Sequence, residues 1–262
     1  MASSMESVLQ PLRAYEHWLA QYKRVWRGTI GTSLVNPLLY LTALGVGLGT
    51  LVDRTQNAPG GVPYLDFVAP GLLAAAAMQT AATESSWPVM AAIKWTRVYH
   101  AMIATPLTER DAFVGHQLFV LTRVLTSAAA YLAIIAAFGA VSSWLGLLVV
   151  PVAVLIGTAF SMPLAAMAAT LEDERGFVTV FRFLIVPMFL FSGTFFPVEQ
   201  LPLVFELIAY VTPIWHGVEL CRMLTLGDVD LVAALGHLAY LLTWTLVGFE
   251  LARRAYRKRL LG

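Results

Sequence analysis

Residues 145–171, LGLLVVPVAVLIGTAFSMPLAAMAATL, contain no Asp, Glu, Lys, Arg or His. A helix needs about 20 mostly apolar residues to cross the hydrocarbon core of a bilayer, and this stretch is longer than that. Five similar segments flank it: residues 30–52, 67–93 and 112–141 before it, and 177–196 and 231–252 after it. The pattern predicts an all-α integral membrane protein whose six transmembrane helices occupy residues 30–252. Composition agrees. Hydrophobic residues make up 58% of the chain and charged residues 13%, against about 25% charged in ordinary soluble domains. Mean hydropathy is +0.72.

Two further apolar stretches do not read as spans. In the N-terminal segment, residues 1–29, Tyr15, Trp18, Leu19, Tyr22, Val25 and Trp26 recur among Arg13, Lys23, Arg24 and Arg27. That spacing predicts an amphipathic helix lying in the membrane interface, aromatic face toward the lipid. In residues 197–228, Pro197, Pro202 and Pro213 cut the chain into pieces too short to cross. Proline disfavours one continuous helix there, so short re-entrant segments entering and leaving on one side are expected.

Lys and Arg collect in cytoplasmic loops. With six spans and both termini cytoplasmic, thirteen of the 17 basic residues fall inside. They are Arg13, Lys23, Arg24 and Arg27; Lys94, Arg97 and Arg110; Arg175; and five in the basic tail, residues 253–262. The cluster at residues 58–63, APGGVP, reads as a short external turn.

Several function classes are unsupported. The net charge of +1 gives no field to attract nucleic acid. Cys221 is the sole cysteine, and the five histidines show no metal-ligand spacing, so no metal site is expected. No G-x-x-x-x-G-K-[ST] loop or G-x-S-x-G elbow occurs, so no catalytic residues are assigned. The glycines Gly45 and Gly49 lie inside a span and read as a close-packing pair rather than a nucleotide loop.

Ionisable groups in hydrocarbon are costly and draw attention to function. Glu84 sits toward the cytoplasmic end of the second span and Arg123 nearer the middle of the third. A pair between them is either structural glue or part of a substrate path. Arg182 and Glu250 lie near cytoplasmic ends and can snorkel to water. The acids form no chain across several spans, which weighs against a proton-coupled carrier.

Two segments carry a family resemblance. One is the second cytoplasmic segment, WTRVYHAMIATPLTERDAFVGHQL (95–118); the other is FLFSGTFFPVEQLP (189–202) followed by VTPIWHGVELCRML (211–224). With six spans, they resemble permease subunits of the ABC type-2 transporter family, nearest the nodulation lipo-oligosaccharide exporter branch, with daunorubicin-resistance permeases close by. The resemblance implies a coupling loop, residues 94–111, docking on a separate ATP-binding subunit that carries ATP and Mg. Arg97, Met102, Ile103, Thr105, Pro106, Leu107, Thr108 and Arg110 would lie near that contact, Thr108 also capping the next helix. It further implies a second permease copy, identical or paralogous, and external re-entrant helices on which Glu199, Glu206 and Glu219 face outward or line an exit. This chain itself would bind no cofactor. The expected function is ATP-driven export of an amphipathic, lipid-linked, glycan or drug-like substrate from a multi-pass position among the lipids of the bacterial inner membrane. The alternative is a secondary transporter driven by an ion gradient, which would need discontinuous helices and coordinating groups near the midplane.

Overall fold

The computed structural model describes residues 2–54 and 61–262, so the first half of the turn expected at 58–63 falls outside the described residues. The described residues are mostly helical, with no strand. Helix α1 (Ala2–Tyr40) continues through a π-helical stretch, Leu41–Leu48, into α2 (Gly49–Arg54). Then come α3 (Tyr64–Glu84), α4 (Trp87–Lys94), the short α5 (Val98–Ile103), α6 (Glu109–Ala137) and α7 (Val149–Thr170). A broken stretch follows, α8 (Arg175–Val180), a π turn and α9 (Val186–Leu190); the chain ends with α10 (Leu203–Val211), α11 (Pro213–Leu226) and α12 (Leu231–Leu261).

Five segments are long and apolar enough to cross a membrane: Val35–Arg54, Tyr64–Lys94, Glu109–Ala137, Trp144–Thr170 and Leu231–Leu261. The span expected at 177–196 is not a comparable helix, because regular helix stops at Leu190 and a turn through Ser192 and Gly193 follows. The chain still crosses there. Helices α7 and α12 run parallel: Thr158 Oγ1 lies 3.0 Å from Thr245 Oγ1, Gly248 abuts Met162 and Pro163, and Glu172 pairs with Arg259. Parallel neighbours require a return between them. Residues 175–196 supply it, from Phe177 packed on Trp87 to the Phe195 carbonyl, which accepts from Tyr64 Oη at 3.2 Å.

Helices α10 and α11 meet at a bend of 80°. The α11 carbonyl of Thr225 accepts from Ser142 and Ser143 N–H in the α6–α7 connection at 2.9 and 3.1 Å, and Gly227, with φ +80°, ends the helix. Polar caps set other boundaries. Thr108 Oγ1 accepts from Asp111 N–H at 3.2 Å while Asp111 Oδ2 accepts from Thr108 N–H at 2.8 Å, a closed capping box at the start of α6.

The buried side chains form two clusters. The larger runs along α3, α6, α7 and α11, with Leu73, Met78, Ile135, Ile156 and Ile214 fully enclosed. The second gathers Trp18, Tyr99, Phe113, Phe177 and Tyr256. Gly45 packs against Leu65 and Gly49 against Tyr64, so this glycine pair serves helix packing.

The N-terminal segment departs from the sequence expectation. Residues 11–29 are helical, but they continue without a break into the first span, and the Tyr15–Tyr22 part of their aromatic face does not point toward lipid, while Val25 and Trp26 stay exposed. It packs on α6: Trp18 stacks on His116 at 4.1 Å and Tyr15 Oη lies 3.2 Å from Thr122 Oγ1. Gly115 makes this possible. A Cβ there would lie 2.5 Å from Ala14 Cβ and 2.7 Å from the Pro11 carbonyl. Gly115→Val therefore prises α1 from α6, and overpacking of this kind costs about 1–3 kcal/mol. Thermal unfolding in detergent should show a clear drop in midpoint, whereas valine at the open Gly236, where no neighbour lies within 4 Å, should not lower it comparably.

Candidate functional site

The second span carries one polar face. Gln79, Thr80, Thr83 and Glu84 are spaced three or four apart after Leu72, Ala75 and Ala76, and so fall on one side of α3. On α6, Arg123, Ser127 and Tyr131 repeat at four-residue intervals and face it. Together with Asn36, Pro37 and Tyr40 of α1 and Phe189 of α9, these residues line an open cavity of about 400 Å³. A second cavity, about 280 Å³, lies against Trp18, Gln21, Tyr22 and Val25 of α1, Pro88 of α4, and His116 and Phe119 of α6. Glu84 and Arg123 line both cavities.

The expected pair is present. Arg123 Nε donates to Glu84 Oε1 at 3.1 Å, and Nη1 donates to Tyr22 Oη at 2.7 Å. The guanidinium also lies 4.6 Å from the centre of the Tyr22 ring. The Arg123 side chain is 7% exposed and that of Glu84 22%. The site is therefore close to neutral in sum but rich in donors and acceptors. Tyr131 Oη beside the first cavity, and Trp18 Nε1 and His116 Nε2 beside the second, are buried without a hydrogen-bond partner among the described residues. Polar groups in apolar surroundings are normally paired. Here they border space.

The other candidate acids lie elsewhere. Glu199 and Glu206 flank the Tyr210 hydroxyl, at 3.5 and 3.1 Å. Glu219 pairs with Arg222. Neither Glu199 nor Glu219 reaches the Glu84–Arg123 cavities. Glu219 instead steadies Arg222, whose Nη2 donates to the Gly193 carbonyl at 2.6 Å and whose guanidinium sits 3.9 Å from the Phe67 ring centre. Sequence reasoning passed over Arg222. It is the brace of the Ser-Gly-Thr turn, where Gly193 has φ +79° and Thr194 packs on Gly71.

In the loop 94–111, Arg97 adopts φ 51° just before α5. Arg97, Thr105, Pro106, Thr108 and Arg110 are exposed, and Ile103 and Leu107 half-buried. Met102 is 8% exposed and belongs to the chain's own core, since it shares the inner side of α5 with Val98 and Tyr99. It is thus removed from the expected contact surface. Trp95, 61% exposed, stands open beside the loop instead.

Residues 16–226, which include both cavities, the loop and the bent α10–α11 pair, match the family described as ABC-2 type transporter. The chain belongs to this family. Nodulation protein J of Rhizobium leguminosarum bv. viciae is 32% identical over 253 residues, covering 94% of this chain and 95% of that protein. Nodulation protein J of Rhizobium meliloti (strain 1021) is 30% identical, with 94% of each covered, and that of Bradyrhizobium diazoefficiens 29% identical, with 97% of each covered. This ABC-2 transporter chain is a multi-pass protein of the bacterial inner membrane and a membrane subunit of a transport system.

Breaking a buried pair by removing one partner costs about 3–5 kcal/mol, because the other charge is left uncompensated. Glu84→Ala should fall at the low end, since that carboxylate is partly open to the cavities. Replacing both residues, Glu84→Gln with Arg123→Met, should recover most of the loss. Thermal unfolding of the two single variants and the double variant in detergent measures this coupling directly.

Proposed function

We propose that this chain is the permease subunit of an ATP-driven exporter, moving an amphipathic substrate whose polar part passes along the α3–α6 face through Glu84 and Arg123. The observation that carries the reading is the polar face of α3, bordered by two cavities inside a domain of the ABC-2 family. Polar side chains inside a membrane bundle face protein partners or an aqueous space. Among the described residues, Gln79, Thr80 and Thr83 make no side-chain hydrogen bond, so a space that admits water or a polar group suits them.

A separate cytoplasmic ATPase supplies the energy. Its docking surface on this chain is the exposed part of the 94–111 loop: Arg97, Thr105, Pro106, Thr108 and Arg110, with Trp95 adjacent. ATP binding favours one arrangement of the ATPase and thereby shifts the permease between inward- and outward-facing states. The Glu84–Arg123 pair separates the cavity nearer the cytoplasm from the deeper one. Its rearrangement lets a polar group move between them without meeting hydrocarbon. Two permease copies, identical or paralogous, complete the pathway, and the α10–α11 pair covers its outer end. The many exposed apolar residues of α12, Leu231, Val232, Leu235 and Leu246 among them, then meet lipid or the second copy. The basic residues on the open side of α1 lie at the level of the cytoplasmic headgroups.

Affinity purification of the tagged chain from native membranes in mild detergent tests this. A Walker-motif protein should accompany it in near-equal amount and hydrolyse ATP. Arg97→Glu combined with Pro106→Asp should insert normally and lose that partner. A chain that purifies without any nucleotide-hydrolysing partner contradicts the proposal and favours a gradient-driven carrier.

A further inference from the structure

Resting on the coupling-loop reading above, we infer that the last turns of α12, from Ala252 to Leu261, are a positioning strut that fixes α5 and transmits its movement to the last span. In sequence this segment is a basic tail. In the fold it has two faces. Arg254, Arg257 and Lys258 point outward, while Ala252, Tyr256 and Leu260, at four-residue spacing, are 0%, 0% and 9% exposed.

The buried face grips α5 itself. Tyr256 Oη lies 3.3 Å from Tyr99 Oη, and the two rings are 5.4 Å apart. The Tyr99 hydroxyl also pairs with His116 Nδ1 of α6, and Phe113 of α6 packs on Tyr256 at 4.9 Å. Aromatic rings enclosed on all sides have little room to yield. One side chain of α5, Tyr99, thus joins α6 to α12.

A second tie holds the approach to α5. Glu172, after α7, accepts from Arg259 Nη1 at 2.7 Å and Nη2 at 3.3 Å, and pairs with Lys94 Nζ at 3.1 Å. Lys94 closes α4, just before the coupling helix. Tyr256 and Arg259 are three residues apart and so lie on one side of α12. The two cations, Arg259 first and Lys94 second, hold the Glu172 carboxyl down to about 2. The tie is therefore charged at neutral pH and is lost only as pH falls from the ordinary carboxylate range through that value. Exposed pairs contribute little to stability; here the geometry matters, because one carboxylate spans α4 and α12. Both ties end on α12, so a push on α5 is delivered to the last span rather than absorbed by a loop. The residues matched by the family end at 226, so this segment takes no role from that match.

The test uses the transporter co-purified with its ATPase, with Tyr256→Ala, its conservative counterpart Tyr256→Phe, and Glu172→Gln. Two readouts separate coupling from folding. The first is trypsin cleavage after the exposed Arg97, which reports how firmly α5 is held. The second is N-ethylmaleimide labelling of Cys221, the sole cysteine, buried in α11, with and without ATP plus vanadate. For Tyr256→Ala, cleavage after Arg97 should rise about tenfold through local opening. ATP hydrolysis should stay within about twofold of wild type, while the nucleotide-dependent change at Cys221 disappears. Tyr256→Phe should restore the Cys221 response, and Glu172→Gln should fall between. Unchanged cleavage, or hydrolysis and the Cys221 response declining in proportion, would overturn the strut. If the wild-type chain binds no ATPase, the functional reading fails instead, and the cleavage comparison on the chain alone still decides whether the tail holds α5.

Discussion

A guanidinium cannot sit inside a membrane bundle without a counterpart, and the position of Arg123 governs much of this protein's interior. Desolvating such a charge costs several kcal/mol unless a carboxylate and hydrogen bonds replace water. Glu84 supplies the charge, and Tyr22 supplies a hydroxyl and a ring face. These partners come from three elements, α1, α3 and α6, so one side chain fixes how the three approach. The aromatic residues of α1 then pack on α6, and Gly115 allows the backbones to come close. The space left around the pair is the pair of cavities on its two sides.

A second arginine obeys the same rule at the opposite end of α3. Arg222 is held by Glu219 and spends a donor on the Gly193 carbonyl. A turn that interrupts a span exposes backbone groups to hydrocarbon, where each unpaired group is expensive. The brace meets that need, and it ties the α10–α11 pair to the turn that ends the fifth crossing. The two ends of α3 are thus each tied to a buried arginine, Arg222 over Phe67 and Arg123 beside Glu84.

Much of this was legible in the chain. Apolar runs marked the long spans, proline spacing marked where α10 and α11 break, and Glu84 with Arg123 stood out because charge in hydrocarbon is rare. Thr108 was readable as a cap because hydroxyl-to-backbone bonding is local. Other features were not. An aromatic stripe at residues 15–22 shows that a face is apolar, not whether lipid or α6 covers it. Met102 looked available for docking because exposure on a helix as short as α5 depends on tertiary packing. The fifth crossing read as an ordinary span because hydropathy does not register the turn at Gly193. Arg222 and Tyr256 were invisible for a single reason: their partners, Gly193 and Tyr99, are far away in sequence.

The polar face of α3 either borders a route, as proposed here, or is a sealed seam. Cysteine accessibility tests it most directly. In a Cys221→Ala background, Thr83→Cys beside Glu84 is compared with Leu246→Cys on the exposed apolar side of α12, using a membrane-impermeant, water-soluble thiol reagent. Along a route, the cysteine at 83 should react, ATP plus vanadate should change its rate, and the one at 246 should stay inert. Equal inertness at both positions would mean that no water reaches the Glu84–Arg123 pair, and the ion pair would then be structural glue alone.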